Sequence, residues 1–104
     1  MKSQERVRLI DLWIQALSVA PDDEVIAKAL REQIREVHDY FAHVIRRGQE
    51  LGDVNPDRDP VAEAWIFVAS GLLATVDHRL GGLLGDDLQR VRTERKRWML
   101  ASTE

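Results

Sequence analysis

The sequence predicts an all-α fold, a bundle of about four helices at residues 4–20, 23–51, 60–80 and 86–101. Three observations point to it. Apolar residues recur at three- and four-residue spacing along nearly the whole chain, and strand-like alternation is absent. Helix breakers fall between the periodic segments, at Pro21, Gly52, the link "DVNPDRDP" and the pair Gly81-Gly82. Finally, 104 residues without an internal repeat suit one domain, residues 1–104, with a small core.

On a helical projection of Gln4 to Ala20, Arg8, Asp11, Gln15 and Ser18 form a narrow polar strip. Val7, Leu9, Ile10, Leu12, Trp13, Ile14, Ala16, Leu17, Val19 and Ala20 fill the rest, an apolar arc of roughly 240° where a surface helix needs ~100°. Such a helix requires cover on more than one side. Pro21 is expected to end it, because the residue before a proline avoids helical geometry.

In the second segment, Ile26, Leu30, Ile34, Val37, Phe41, Val44 and Ile45 share one stripe. Asp22, Asp23 and Glu24 stand at its positive end, and Arg46 and Arg47 near its negative end. At ~1.5 Å per residue the helix is about 40 Å long. Gly48 lies within the apolar stripe and predicts a close approach by another part of the chain. Gly52 suits a left-handed stop.

The third helix opens with Asp59 as N-cap and Pro60 at the first helical position, where a missing N–H costs nothing. Val61, Ala64, Trp65, Val68, Leu72 and Val76 form one apolar face; Ala62, Ile66, Ala69, Leu73 and Leu80 form another. Together they span roughly 200°. The fourth helix opens with Asp86 and Gln89 in capping-box spacing. Leu84, Leu88, Val91, Arg95 and Trp98 then follow as a short seam with Arg95 at its centre. Two of the four helices therefore carry more apolar surface than one short chain can cover. That surplus predicts a homo-oligomer, a two-fold dimer being the commonest closed form.

The bulk properties exclude several functions. A net charge of −3 gives no global field for nucleic acid. The absence of cysteine excludes disulfide scaffolds and thiolate metal sites. "MKSQERVRLIDLW" lacks the pattern of a signal peptide, and no apolar run approaches the ~20 residues of a membrane span, so a cytoplasmic location is expected. His38, His43 and His78 show neither Glu-x-x-His nor His-x-x-x-His spacing, so no metal site is expected. His38 lies at the edge of the second stripe, within reach of a cavity, while Asp39 and His43 read as a surface pair. Ser18 and Ser70 lack a nucleophile motif, and Gly81, Gly82 and Gly85 lack a phosphate-loop context, so no catalytic residue is assigned and no enzyme is expected. Arg90, Arg92, Arg95, Lys96 and Arg97 read as a charged helix face rather than a phosphate-binding patch. Trp13, Phe41, Trp65 and Phe67 read either as plain core or as walls of a cavity. Because Trp13 and Trp65 carry N–H groups that need partners when buried, such a cavity would be partly polar.

The stretches "LWIQALSVAPDDEVIAKALRE" and "HDYFAHVIRRGQELGDVNPDRDPVAEAWIFVASGLL" resemble the C-terminal domain of TetR-family transcriptional regulators. The carrying features are a long helix ending in the G-x-x-x-G-D elbow from Gly48 to Asp57, the D-P start of the next helix, and the small-Gly-Leu step Ser70-Gly71-Leu72. The resemblance implies an all-α domain that senses a small molecule and dimerises through its last two helices as a four-helix bundle. DNA would be bound by a separate helix-turn-helix, of which this chain carries no recognisable stretch. The pocket expected from this is Trp13, Leu17, His38, Phe41, Trp65, Val68 and Leu72, suited to a mainly apolar effector and needing no cofactor. The expected dimer interface is Ile66, Ala69, Leu73 and Leu80 with Leu84, Leu88, Val91, Arg95 and Trp98. There Ala69 and Gly71 would admit a close approach, and Arg95 would meet a carboxylate across the interface, Asp77 or Glu63, or extend to the rim. A ligand-free helical oligomerisation or adaptor module is the alternative.

Overall fold

The computed structural model describes residues 3–100. It comprises α1 (Ser3–Leu17), a 3-10 turn (Ala20–Asp22), α2 (Glu24–Glu50), α3 (Pro60–Arg79) and α4 (Asp87–Met99). Among the described residues the only extended pairing is an isolated antiparallel bridge between Val54 and Leu100. The side chain of Val7 lies outside the described residues, as does Ala101, the expected last residue of the fourth helix; the helix itself stops at Met99, with Leu100 extended.

Local chemistry sets most of the boundaries. Asp23 is extended, and its carboxylate accepts the N–H groups of Val25 and Ile26 at 3.0 and 3.3 Å, capping α2. At the other end Gly52 adopts φ +84°, the Gly52 N–H donates to Gln49 O, and the Asp53 N–H donates to Gly48 O at 2.9 Å. This paired reversal is what a left-handed glycine just past a helix permits. The close approach expected at Gly48 comes from Val54 of the elbow: a β-carbon on Gly48 would stand 2.4 Å from Val54 Cγ2. Asp59 accepts the Val61 N–H at 3.0 Å and caps α3, with Pro60 in its first turn.

Three boundaries or contacts differ from the sequence reading. α1 stops at Leu17, not Ala20, and Pro21 sits inside the following 3-10 turn. Pro21 has no N–H to continue the α-helical ladder, so the chain tightens first, with Ser18 N–H donating to Gln15 O and Val19 N–H to Ala16 O. The Asp86–Gln89 capping box does not form: Asp86 has helical backbone angles and makes no side-chain cap. A cap needs a non-helical residue whose side chain can fold back on the first turn. The entry to α4 is instead fixed by Asp77, whose carboxylate accepts the Leu84 N–H at 2.7 Å. Gly71 packs inside the chain, where a β-carbon would stand 3.0 Å from Ile10 Cδ1 of α1, and not toward a second copy as expected.

The core has two parts. Trp13, Leu30 and Val68 form one cluster, joined by Leu9, Ile10, Ala16, Ala20, Ile34, Val37 and Leu72. Ala42, Ile45 and Ala64 form the other, with Phe41, Val54 and Met99 against them. On α2 the buried positions are Leu30, His38, Ala42 and Ile45, so the contact face is rotated from the expected stripe and leaves Val44 exposed. α3 is the most nearly membrane-like segment among the described residues, with an 18-residue stretch of mean hydropathy 1.3. Its inward face carries the fully buried Glu63, however, and its apolar surplus lies on the opposite face.

Candidate functional site

α2 and α3 meet around a ring that is buried but not apolar. His38 projects from α2 and is 3% exposed. Its imidazole stacks on the Trp65 indole of α3, centroids 4.0 Å apart and planes 22° from parallel. Nε2 lies 2.9 Å from the Val61 carbonyl oxygen and donates to it in the tautomer protonated there. Nδ1 lies 2.9 Å from Asp39 Oδ1. The expected Asp39–His43 surface pair is thus replaced by Asp39–His38, a neighbour contact that the helical projection did not suggest. The Arg35 guanidinium carbon stands 5.7 Å from the Trp65 ring centre, within cation–π range. A turn further along, Phe41 and Phe67 approach to 4.5 Å. Trp13, on α1, donates its indole N–H to Gln33 Oε1 of α2 at 2.7 Å, which supplies the partner a buried indole needs.

The seven residues expected to line a pocket therefore separate into groups. Trp13, Val68 and Leu72 share the first core cluster. His38 and Trp65 form the stack, and Phe41 belongs to the second cluster. Leu17 is 49% exposed at the end of α1 and joins neither cluster. Trp13 and His38 are thus buried between the helices, whereas Trp65 covers His38 from outside and is itself 37% exposed.

The opposite side of α3's first turn holds an ion cluster that sequence reasoning reached only in part. Glu63 is 1% exposed. Its Oε1 accepts from Arg58 of the elbow, through Nε at 2.9 Å and Nη2, and its Oε2 accepts from Nη2 of Arg95 on α4. Arg95 thus meets a carboxylate of its own chain, not one across an interface, and Asp77 is engaged elsewhere. Burial holds the Arg95 pKa below its ordinary value, and the like charge of Arg58 adds to the effect. Arg58 also lies over the exposed Trp98 ring, 5.1 Å from its centre. Glu63 was named as an acid able to meet Arg95. Arg58 was missed, because nothing in a one-residue-wide elbow position marks a side chain that turns inward.

The residues expected at an interface are exposed or half-buried in the single chain. Ile66, Ala69, Leu73 and Leu80 of α3 are all exposed, with Val76 beside them. On α4, Leu84, Leu88, Val91 and Arg95 are half-buried and Trp98 is exposed. Leu84, Val91, Arg95 and Trp98 line an open groove whose other edge is Asp87, Arg90 and Glu94. This mixture of signs along α4 fits a solvated charged face better than a phosphate-binding patch. Among the described residues no group of three or more His, Asp or Glu is placed to hold a metal ion.

The family model of the BetI-type transcriptional repressor C-terminal domain matches residues 2–77. The match spans α1, α2 and nearly all of α3, and ends before α4. No curated protein and no solved structure matches the chain.

Proposed function

Because the chain belongs to the family of BetI-type TetR repressor C-terminal domains, a family of transcription regulators and not of enzymes, we propose that it is the effector-sensing and dimerising part of a transcriptional repressor. The observation that carries the reading is the coincidence of the family match with the three helices that bear the buried Trp13 and His38 and the partly exposed Trp65 stacked on His38. In this reading the effector is a small, mainly apolar molecule entering among α1, α2 and α3. Trp13, Phe41, Val68 and Leu72 supply apolar and aromatic walls, and Leu17 lies at the rim. The His38–Trp65 pair supplies stacking and one polar edge. Contact with DNA belongs to a helix-turn-helix outside this sequence, and the domain works in the cytoplasm, where the operator is. Two copies pair through the exposed apolar strip of α3, Ile66, Ala69, Leu73 and Leu80, with the α4 seam of Leu84, Leu88, Val91 and Trp98 beside it. An exposed strip of this kind is what a self-complementary two-fold interface requires.

A ligand-free adaptor is the second reading. One observation favours it: among the described residues every buried side-chain polar atom already has a hydrogen-bond partner. Calorimetry of the purified chain against a panel of apolar compounds, repeated with Trp65→Leu, separates the two. Saturable binding that weakens in Trp65→Leu supports the sensor. Silence across the panel, with an unchanged dimer, supports the adaptor.

A further inference from the structure

The first turn of α3 touches the candidate pocket on one side and α4 on the other. We propose that this turn, Pro60 to Glu63, is the relay by which the state of the α2–α3 pocket sets the position of α4. This inference rests on reading the His38–Trp65 region as the sensing site.

The α4 side of the turn is held by charge. None of the residues of α4 is fully buried, and its central apolar residues Leu88 and Val91 are only half-buried, so polar contacts carry much of its attachment. Its attachments are the Arg95–Glu63 ion pair, the Arg58–Trp98 contact, the Asn55 N–H donated to Met99 O at 2.8 Å, the Val54–Leu100 bridge and the Leu84 N–H on Asp77. Met99 alone reaches the second core cluster. Glu63 is the joint of this system, because one buried carboxylate takes a cation from the elbow and another from α4. Removing either cation from a buried carboxylate carries a large desolvation cost. When the turn moves, Arg58 and Arg95 therefore follow Glu63, and α4 moves with them.

The α2 side of the same turn is held by His38. Val61, two residues before Glu63, accepts the His38 Nε2 proton through its carbonyl, and Trp65, two residues after Glu63, carries the stack. At ~100° per residue, the side chains of Glu63 and Trp65 point roughly 200° apart around the helix. One rigid turn thus joins the two contacts back to back, and a ligand that displaces the His38–Trp65 stack must move Glu63. A ligand shifts such a linkage only by binding the two arrangements unequally, and energetic coupling between the two ends is what demonstrates it.

A double-mutant cycle read by amide hydrogen exchange tests the relay without a ligand. The variants are Trp65→Leu, Arg95→Met and the pair, in the full chain. Arg95→Met should raise exchange across 87–99 by tenfold or more while 24–50 stays protected. Trp65→Leu should raise exchange across 87–99 by threefold or more, and should add nothing when Arg95→Met is already present. If Trp65→Leu loosens the whole chain, His38→Gln, which keeps an N–H for Val61 but loses the ring stack, is scored in the same way. Unchanged exchange across 87–99 in the α2–α3 variant, or an effect retained in full beside Arg95→Met, overturns the relay. Because no ligand is added, failure of the cycle is distinct from failure of the calorimetric test of the sensor reading.

Discussion

Gly48→Ala is predicted to destabilise the chain although it removes a glycine from a helix. Helix propensity alone favours alanine by ~1 kcal/mol. Against this, the new β-carbon would stand 2.4 Å from Val54 Cγ2 and 3.3 Å from Val54 Cβ. Carbon atoms pack at ~3.5–4.0 Å, so Val54 must retreat by more than an ångström. It has little freedom to do so. Its side chain is β-branched and stiff, its N–H is bonded to Gly48 O at 3.1 Å, and its backbone pairs with Leu100. Overpacking of this kind costs ~1–3 kcal/mol, which leaves a net loss of up to about 2 kcal/mol, centred near 1. For a domain of this size 1 kcal/mol corresponds to a Tm change of ~4–8 °C. The partner experiment uses Val54→Ala, which deletes the clashing methyl group. In that background Gly48→Ala should be neutral or stabilising by up to ~1 kcal/mol. Urea and thermal unfolding of the four proteins measure the cycle. If Gly48→Ala stabilises the wild type as much as it stabilises Val54→Ala, then the elbow does not pack against α2 as described.

Three further substitutions follow from the same structure. Trp13→Ala empties the centre of the first core cluster and orphans Gln33, so chemical denaturation should show a loss of ~3–5 kcal/mol. Asp23→Ala removes the α2 cap and should cost ~1 kcal/mol, with Asp23→Ser recovering most of it. Glu63→Gln leaves Arg58 and Arg95 against a neutral amide in a buried site and should cost ~3–5 kcal/mol, whereas Glu63→Asp, which keeps the charge, should cost less.

What was legible in the sequence was mostly local. The Asp59 cap, the Pro60 start and the Gly52 reversal each depend on a handful of neighbouring residues, and each falls where the sequence reading placed it; Asp23, expected only as one of three charges at the positive end of α2, is its cap. The Asp86 cap failed because its backbone angles are set by the preceding loop and by Asp77, nine residues back. α3 has two apolar faces of similar strength, and periodicity alone does not say which turns inward. The structure buries Ala64, Val68 and Thr75 and leaves Ile66, Leu73 and Leu80 outside. Small residues decide this: Ala64 and Gly71 let α2 and α1 approach, and only tertiary packing reveals that use of them. Glu63 illustrates the same limit, since its partners stand five and thirty-two residues away.

Pairing of two chains through the outer face of α3 is tested most directly by sedimentation of the wild type and of Leu73→Asp. Leu73 is 38% exposed in the single chain, so an aspartate there is solvated in a monomer and costs little. In a paired interface the same charge is desolvated twice, once in each copy, and should cost several kcal/mol. The account predicts a two-chain species for the wild type at tens of micromolar, and a monomer of unchanged helix content for Leu73→Asp. A monomeric wild type, or a Leu73→Asp variant that remains fully dimeric, would contradict it.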